Sequence, residues 1–271
     1  MRKCTYKYLF IWLTAFAFIS CGSSSGGTTP TIEGLLLHFT FNQDSGTTVT
    51  DSSGNGNDGT LVGGTWTEGR SGNAISFDGV DDSIQIPGPG ENPPESISGL
   101  SEGTIAVWFK YDAELDDDGI ILPIFYLGPS VDVTDTLEGL IIEVGHQGIW
   151  ADNTELFYTV TLAEALEPIL CFDSGSNLTA NEWYHFAVVV SSAGNTGYLN
   201  GSEMTDREYN FDDSSGTEFL NSVTAGILSL GYGRFAVDGQ FHYFKGLIDD
   251  FRIYSRALNA DEILQVYEDI Q

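Results

Sequence analysis

Asp249 is the carboxylate whose sequence neighbours constrain it most. In the segment Leu247 to Tyr254, one alternating row reads Leu247, Asp249, Phe251, Ile253 and the other Ile248, Asp250, Arg252, Tyr254. A strand places each row on one face, so Asp249 falls in the more apolar row. An unpaired charge there would cost several kcal/mol or shift its pKa until it is neutral. It needs either a cation or a set of donors, such as backbone N–H groups or an arginine, and both readings are open.

Other constellations are less complete. Asp51, Ser53, Asn55 and Gly56 follow the start of an EF-hand loop, but Val62 stands twelfth, where a bidentate Glu belongs, and no helices flank the segment. The stretch from Asp51 to Gly59 reads better as a turn-rich surface loop. The run Glu114-Leu115-Asp116-Asp117-Asp118 holds enough carboxylates for the acid and nucleophile or base of glycoside hydrolysis. An acidic turn is the competing reading. His38, His146, His185 and His242 show no metal-ligand spacing, and His185, inside an apolar run, reads as a satisfied interior histidine. For ligand contact the choice falls on His146, Trp150, Asp152, Asn153 and Tyr158. They combine aromatic faces that stack on sugar C–H surfaces with side chains that hydrogen-bond hydroxyls. Aromatic residues on β segments also serve as core, and that alternative stands beside the first.

The elements that must position these groups are almost all strands. Period-two alternation recurs between Gly, Asn, Asp and Ser clusters: Leu35, Leu37, Phe39, Phe41; Ile105, Val107, Phe109, Tyr111; Leu140, Ile142, Val144. From Trp183 to Val190 both rows are apolar apart from His185, which predicts a central strand covered on both faces. Trp108 and Trp183 are expected to fill space between sheets. Asn200-Gly201 is the pair that a type I′ hairpin turn requires. Asn259 followed by Glu262 resembles a capping box and opens one short helix through Ile263, Val266 and Tyr267. Gly145 to Ala180 fits least well, with a strand at Glu155 to Val160 and a helical turn near Ala163 to Leu166. The pattern predicts an all-β fold of sheet packed on sheet with one short C-terminal helix.

Residues 1–20 read as a signal peptide: Arg2, Lys3 and Lys7 precede an apolar run from Tyr8 to Ile19 that ends in Ser20-Cys21. The small residues before Cys21 resemble the lipobox of bacterial lipoproteins, which implies lipidation of Cys21. An ordinary secretory signal or an uncleaved anchor is the alternative. Residues 21–32 contain a Gly/Ser/Thr run suited to a flexible tether, and residues 33–271 form one domain. Cys171 is left without a disulfide partner. The net charge is −29 with 10 Lys+Arg against 39 Asp+Glu, and loss of Arg2, Lys3 and Lys7 takes it to −32. That balance argues against nucleic acid and anionic head groups as partners. The membrane is then met through the lipid anchor alone, in the cell envelope, and the residue after Cys21, Gly22, resembles the sorting signal for the outer membrane.

Five ordered blocks resemble the laminin-G-like, concanavalin A-like lectin/glucanase domains of bacterial surface proteins. They are His38 to Asn42 with Asp51 to Leu61 and Gly69 to Gly79, then Thr104 to Trp108, Trp183 to Val189, Tyr198 to Gly201, and Phe244 to Tyr254 with Arg256 to Leu258. The resemblance implies a jelly-roll β-sandwich of two antiparallel sheets. It further implies a structural Ca2+ held by Asp249 with carbonyls at the Gly79 turn and near His38, an ion suited to loose oxygen coordination. The run at Glu114 superficially resembles the Glu-x-Asp-x-Glu strand of laminarinase-type glucanases, but Asp117 takes a core position and Asp118 replaces the last Glu. The expectation is a non-catalytic module that binds glycan or serves adhesion. A divergent glycoside hydrolase or lyase and a protein-interaction domain are the alternatives.

Overall fold

In the computed structural model the described residues are 31–112, 121–129, 138–145, 154–163, 165, 167–234 and 240–269. The strands are β1 (Leu35–Phe39), β2 (Thr48–Val49), β3 (Gly59–Val62), β4 (Thr65–Glu68), β5 (Asn73–Asp78), β6 (Ser83–Gln85), β7 (Gly103–Tyr111), β8 (Ile121–Gly128), β9 (Gly139–Gly145) and β10 (Glu155–Thr161). They continue as β11 (Leu170–Asp173), β12 (Tyr184–Ser191), β13 (Gly194–Leu199), β14 (Ser202–Glu203), β15 (Tyr209–Phe211), β16 (Ile227–Leu230), β17 (Tyr232–Arg234), β18 (Phe241–Tyr243) and β19 (Lys245–Tyr254). Two α-helices, α1 (Glu95–Ser98) and α2 (Ala260–Glu268), and one 3-10 turn (Leu220–Ser222) accompany them.

The strands form two large antiparallel sheets and a two-stranded hairpin. The eight-stranded sheet runs β14-β13-β12-β7-β19-β5-β4, with β1 also on β19; the nine-stranded sheet runs β15-β11-β10-β9-β8-β16-β6-β3-β2; β17 pairs with β18. Alternate residues of both large sheets meet in one core, with Phe39, Val107, Phe109, Phe125, Ile142, Tyr158, Phe172, Phe186 and Phe251 among its members. This is the sandwich that the alternation predicts.

The central strand β12 lies between β7 and β13 and is covered on both faces, as its doubly apolar pattern requires. Its Phe186 and Val188 enter the main core, while Ala187 and Val189 join a second cluster with Ala106, Tyr198, Tyr254, Leu258, Ile263 and Val266. That second cluster sits between the outer face of the eight-stranded sheet and α2. The capping box is formed: the Asn259 side chain accepts from the Glu262 N–H at 3.0 Å, and Glu262 accepts from the Asn259 N–H at 2.9 Å. Asn200 and Gly201 take φ of 50° and 76° between β13 and β14, the conformation their pairing predicts.

The two tryptophans depart from expectation because neither stands between the sheets. Trp108 is buried on the outer face, stacked on Tyr267 of α2 with ring centroids 5.2 Å apart. Trp183 precedes β12, remains half-exposed and lies under the Lys110 ammonium. Around Ala163 the described residues show one turn, in which Ala165 N–H donates to the Leu162 carbonyl.

Candidate functional site

The face of the nine-stranded sheet turned away from the core carries two cross-strand rows. Register places Asp173, Phe157, Glu143 and Pro123 side by side in one, and Cys171, Thr159, Ile141, Tyr126, Ser229, Gln85 and Thr60 in the other. Their sequence neighbours Leu140, Ile142, Val144, Leu156, Tyr158, Val160, Leu170 and Phe172 all point into the core. Polar groups on this face are held by specific bonds. Asp173 accepts from Gly175 N–H at 2.8 Å and from the Asn210 side-chain amide at 2.9 Å. Thr159 Oγ1 and Cys171 Sγ lie 3.3 Å apart, and Ser229 Oγ donates to the Tyr232 carbonyl at 2.7 Å. Burial, with Glu143 and Asp173 adding negative charge nearby, pushes the Cys171 thiol up to about 12 despite the Thr159 bond, so it stays a neutral thiol.

Of the five residues chosen for ligand contact, His146, Trp150, Asp152 and Asn153 lie outside the described residues, as does the Glu114 to Asp118 run. Tyr158 needs correction. Alternation turns it into the core, where it is fully buried and its hydroxyl donates to the Glu218 carbonyl at 2.8 Å. The aromatic ring that this strand sends to the outer face is Phe157, one residue earlier. Sequence reasoning also passed over Glu143 and Asp173. Glu143 was legible, because it interrupts the Leu140, Ile142, Val144 row. The two carboxylates flank Phe157 from strands two spacings apart, roughly 9.5 Å between backbones. Both are buried, and Asp173 has each oxygen already engaged, which is a poor starting point for a general acid or base that must reach substrate.

On the opposite sheet, Asp249 occupies a different environment from the one its row predicts. Between Asp249 and Arg252, β19 advances three residues while β7 advances two, from Trp108 to Ala106. Asp250 is the extra residue of this β-bulge and has φ of 40°. The bulge swaps the faces of the rows: Ile248, Phe251 and Ile253 enter the core, while Asp249, opposite Trp108, and Arg252, opposite Ala106, lie on the outer face. Asp249 Oδ2 accepts from the N–H groups of Arg70 at 2.9 Å and Ser71 at 3.3 Å, and Oδ1 from Asp250 N–H at 2.8 Å. Gly69 comes so close that a Cβ there would lie 2.6 Å from Asp249 Oδ2. Beside it, Asp250 accepts from Arg252 Nε at 2.5 Å and Nη2 at 2.8 Å and meets His38 Nε2 at 3.0 Å, while Arg252 reaches on to Asp269 beyond α2.

A family model for the concanavalin A-like lectin/glucanases superfamily matches residues 77–264. The chain belongs to that superfamily. It is 24% identical over 174 residues to usherin from Homo sapiens, covering 64% of this chain and 3% of usherin, so it spans a small part of that relative. Among solved structures it is similar to domain 4 of AbnA, a GH43 extracellular arabinanase from Geobacillus stearothermophilus in complex with arabinotriose. The TM-score is 0.56 at 21% identity, covering 86% of this chain and 98% of that one. The botulinum neurotoxin serotype C1 binding domain is similar with a TM-score of 0.58 at 12% identity, covering 88% of this chain and 52% of that one. At such identities the likeness establishes the shared fold.

The calcium site implied by resemblance to this superfamily is not assembled from the residues assigned to it. The carboxylate of Asp249 faces three N–H dipoles, which favour an anion and oppose a cation. The His38 carbonyl already accepts from Ser52 N–H at 2.8 Å. Gly79 lies against Lys245, four residues along β19 from Asp249. The glycine turn that meets Asp249 is the one at Gly69. The turn carrying Gly79 does gather Asp78, Asp81 and Asp82, with oxygens within 4.8 Å of one another, but Asp82 is engaged by the N–H groups of Gly64 at 2.6 Å and Asp78 at 2.9 Å. The EF-hand reading of Asp51 fails in the same way. Its carboxylate accepts from His38, Ser53 and Asn57 N–H and from Ser53 Oγ, while the Asn55 and Asn57 side chains donate to the Leu36 carbonyl, so the loop covers the free edge of β1.

Two groups on the outer face titrate in opposite senses. Burial raises Asp249 to about 6 against its N–H bonds, so the stability linked to it is full below pH 4 and is lost as pH rises through 6. Burial holds His185 down to about 3, and neither ring nitrogen has a hydrogen-bond partner among the described residues. Its contribution is full above pH 6.5 and is lost as pH falls towards 3. The Asp249→Asn variant, which keeps an acceptor oxygen and removes the charge, is expected to gain Tm relative to wild type at pH 8 compared with pH 4. A fall at pH 8 that added calcium reverses only in wild type would contradict the N–H assignment. Melts of His185→Phe between pH 7 and 4 should fall less steeply than those of wild type, and parallel slopes would show that His185 does not carry the acid loss.

Proposed function

We propose that this protein is a non-catalytic carbohydrate-binding module and that it binds on the outer side of the nine-stranded sheet. The observation that carries the proposal is the asymmetry of the sandwich. The outer face of the eight-stranded sheet is closed by α2 through the Ala106, Ala187, Tyr254, Ile263 cluster. On the other outer face Phe157, its flanking carboxylates and the Thr159, Tyr126 and Ser229 hydroxyls are also buried, and what that side offers to a ligand is the half-exposed aromatic hairpin beside them. Aromatic faces with convergent hydrogen-bonding groups suit sugars, which present C–H patches and hydroxyls together. Superfamily membership and likeness to a domain solved with arabinotriose support the same reading. Calcium is no part of this proposal.

Affinity electrophoresis against plant, mucin and microbial polysaccharides is expected to retard the protein in at least one gel, with no release of reducing sugar from that polysaccharide. Unretarded migration across the whole panel would exclude the binding reading, and reducing-sugar release lost in Glu114→Gln or Glu143→Gln would replace it with hydrolysis.

Anchoring through Cys21 to an envelope membrane, with residues 22–32 as tether, belongs to the same proposal and rests on sequence alone. Metabolic labelling with palmitate should mark the protein and disappear in Cys21→Ala. Equal labelling of the two would exclude this anchor.

A further inference from the structure

The hairpin of β17 and β18 is a small sheet of its own laid on β8, and its two faces have different jobs. Gly233 and His242 are directly opposite each other, as are Tyr232 with Tyr243 and Arg234 with Phe241. Gly233 faces β8: a Cβ on it would stand 3.0 Å from Tyr126 Cβ and 3.1 Å from Pro123 Cβ. Glycine at this position lets the hairpin sit this close to the outer face of the large sheet without displacing Tyr126 or Pro123. Because successive side chains alternate, Tyr232, Arg234, Phe241 and Tyr243 then share the face turned away from β8.

These rings form one packed group. Tyr232 stacks on Phe241 with centroids 4.9 Å apart and planes 7° apart, and meets Tyr243 at 5.1 Å and 39°. Tyr232 is buried by its two neighbours, whereas Phe241, Tyr243 and Arg234 stay half-exposed. The central ring holds the other two in fixed orientations, so little rotamer freedom remains to be lost on binding. Further along the chain the hairpin is tied down again, because Phe244 N–H donates to the Gly231 carbonyl at 2.8 Å and the Phe244 ring is fully buried against Phe77.

Resting on the carbohydrate reading above, we propose that Phe241 and Tyr243 are the stacking platform of the binding site and that its ligand is an uncharged glycan chain. The rings offer flat apolar surface for sugar C–H faces, and the Tyr243 hydroxyl supplies a hydrogen-bond donor to ring and hydroxyl oxygens at the same surface. The charge of the chain selects against acidic polymers: at −29 overall, it repels a polyanion before any contact forms. Two rings held on either side of a third address neighbouring residues of an oligosaccharide better than a monosaccharide.

The test is isothermal titration of the full protein with a neutral and an acidic polysaccharide, repeated for Phe241→Ala, Tyr243→Ala and the ring-conserving Phe241→Tyr. The neutral polymer should bind wild type and Phe241→Tyr alike and should bind each alanine variant on the order of tenfold more weakly, with far-UV circular dichroism and Tm unchanged. Unaltered affinity in both alanine variants would overturn the platform while leaving carbohydrate binding in place. Preference for the acidic polymer would overturn the ligand assignment, and no binding of either by wild type would remove the carbohydrate reading and the platform together. Should the alanine variants fail to fold, oxidative footprinting of wild type decides: the neutral polymer must protect Tyr243 and Phe241, and undiminished labelling at saturation overturns the proposal.

Discussion

One extra residue in β19 sets the arrangement of the eight-stranded sheet. Were Asp250 paired in regular register instead of bulged, the alternation of Leu247 to Tyr254 would carry Asp249 onto the same face as Phe251. With the bulge, the chain turns Asp249 outward under the Gly69 to Ser71 turn while keeping Phe251 and Ile253 inside. The bulge also marks where β19 changes partners along one edge, from β5 at Lys245 to Ile248 to β1 at Phe251 to Tyr254. Both carboxylates at this junction are buried, and they persist because donors surround them: N–H groups for Asp249, and Arg252 with His38 for Asp250. A buried charge with one partner removed is strongly destabilising, so the junction tolerates little change.

From the same place the structure closes one of its two outer faces. Arg252 bridges Asp250 to Asp269, Trp108 and His185 pack under Tyr267, and α2 covers the remaining apolar surface. The nine-stranded sheet receives no helix among the described residues. Its outer face carries threonine, serine, carboxylate and aromatic groups instead, with the β17–β18 hairpin resting on β8. Phe157, Thr159, Tyr126 and Ser229 are themselves buried, so the half-exposed rings of the hairpin are what link this side of the fold to binding.

Much of this architecture could be read before any coordinates. Strong alternation in Ile105 to Tyr111 and Leu140 to Val144, the doubly apolar stretch from Tyr184 to Val190, and the Asn200-Gly201 turn each report a local physical requirement, and each appears as read. The need of Asp249 for donors or a cation was also legible, since it follows from charge and polarity alone. Which of the two it has depends on the bulge, and a bulge leaves no mark in a period-two pattern until the partner strand supplies the register. Tyr158 shows the same limit: strand and period were evident, but an aromatic pair at Phe157 and Tyr158 does not reveal which ring faces out. The hairpin was missed because Tyr232 to Arg234 and Phe241 to Tyr243 are too short to show alternation, and because the signal that fixes its seating is the absence of a side chain at Gly233.

The central claim is that this domain recognises carbohydrate on the outer side of the nine-stranded sheet. Backbone amide chemical-shift mapping during titration of the 15N-labelled protein with a neutral oligosaccharide tests it most directly. Shifts concentrated at the β17–β18 hairpin, with α2 and the Asp249 junction unmoved, are the predicted result. Shifts centred on α2 or the Asp249 junction, or none at saturating sugar, would contradict it.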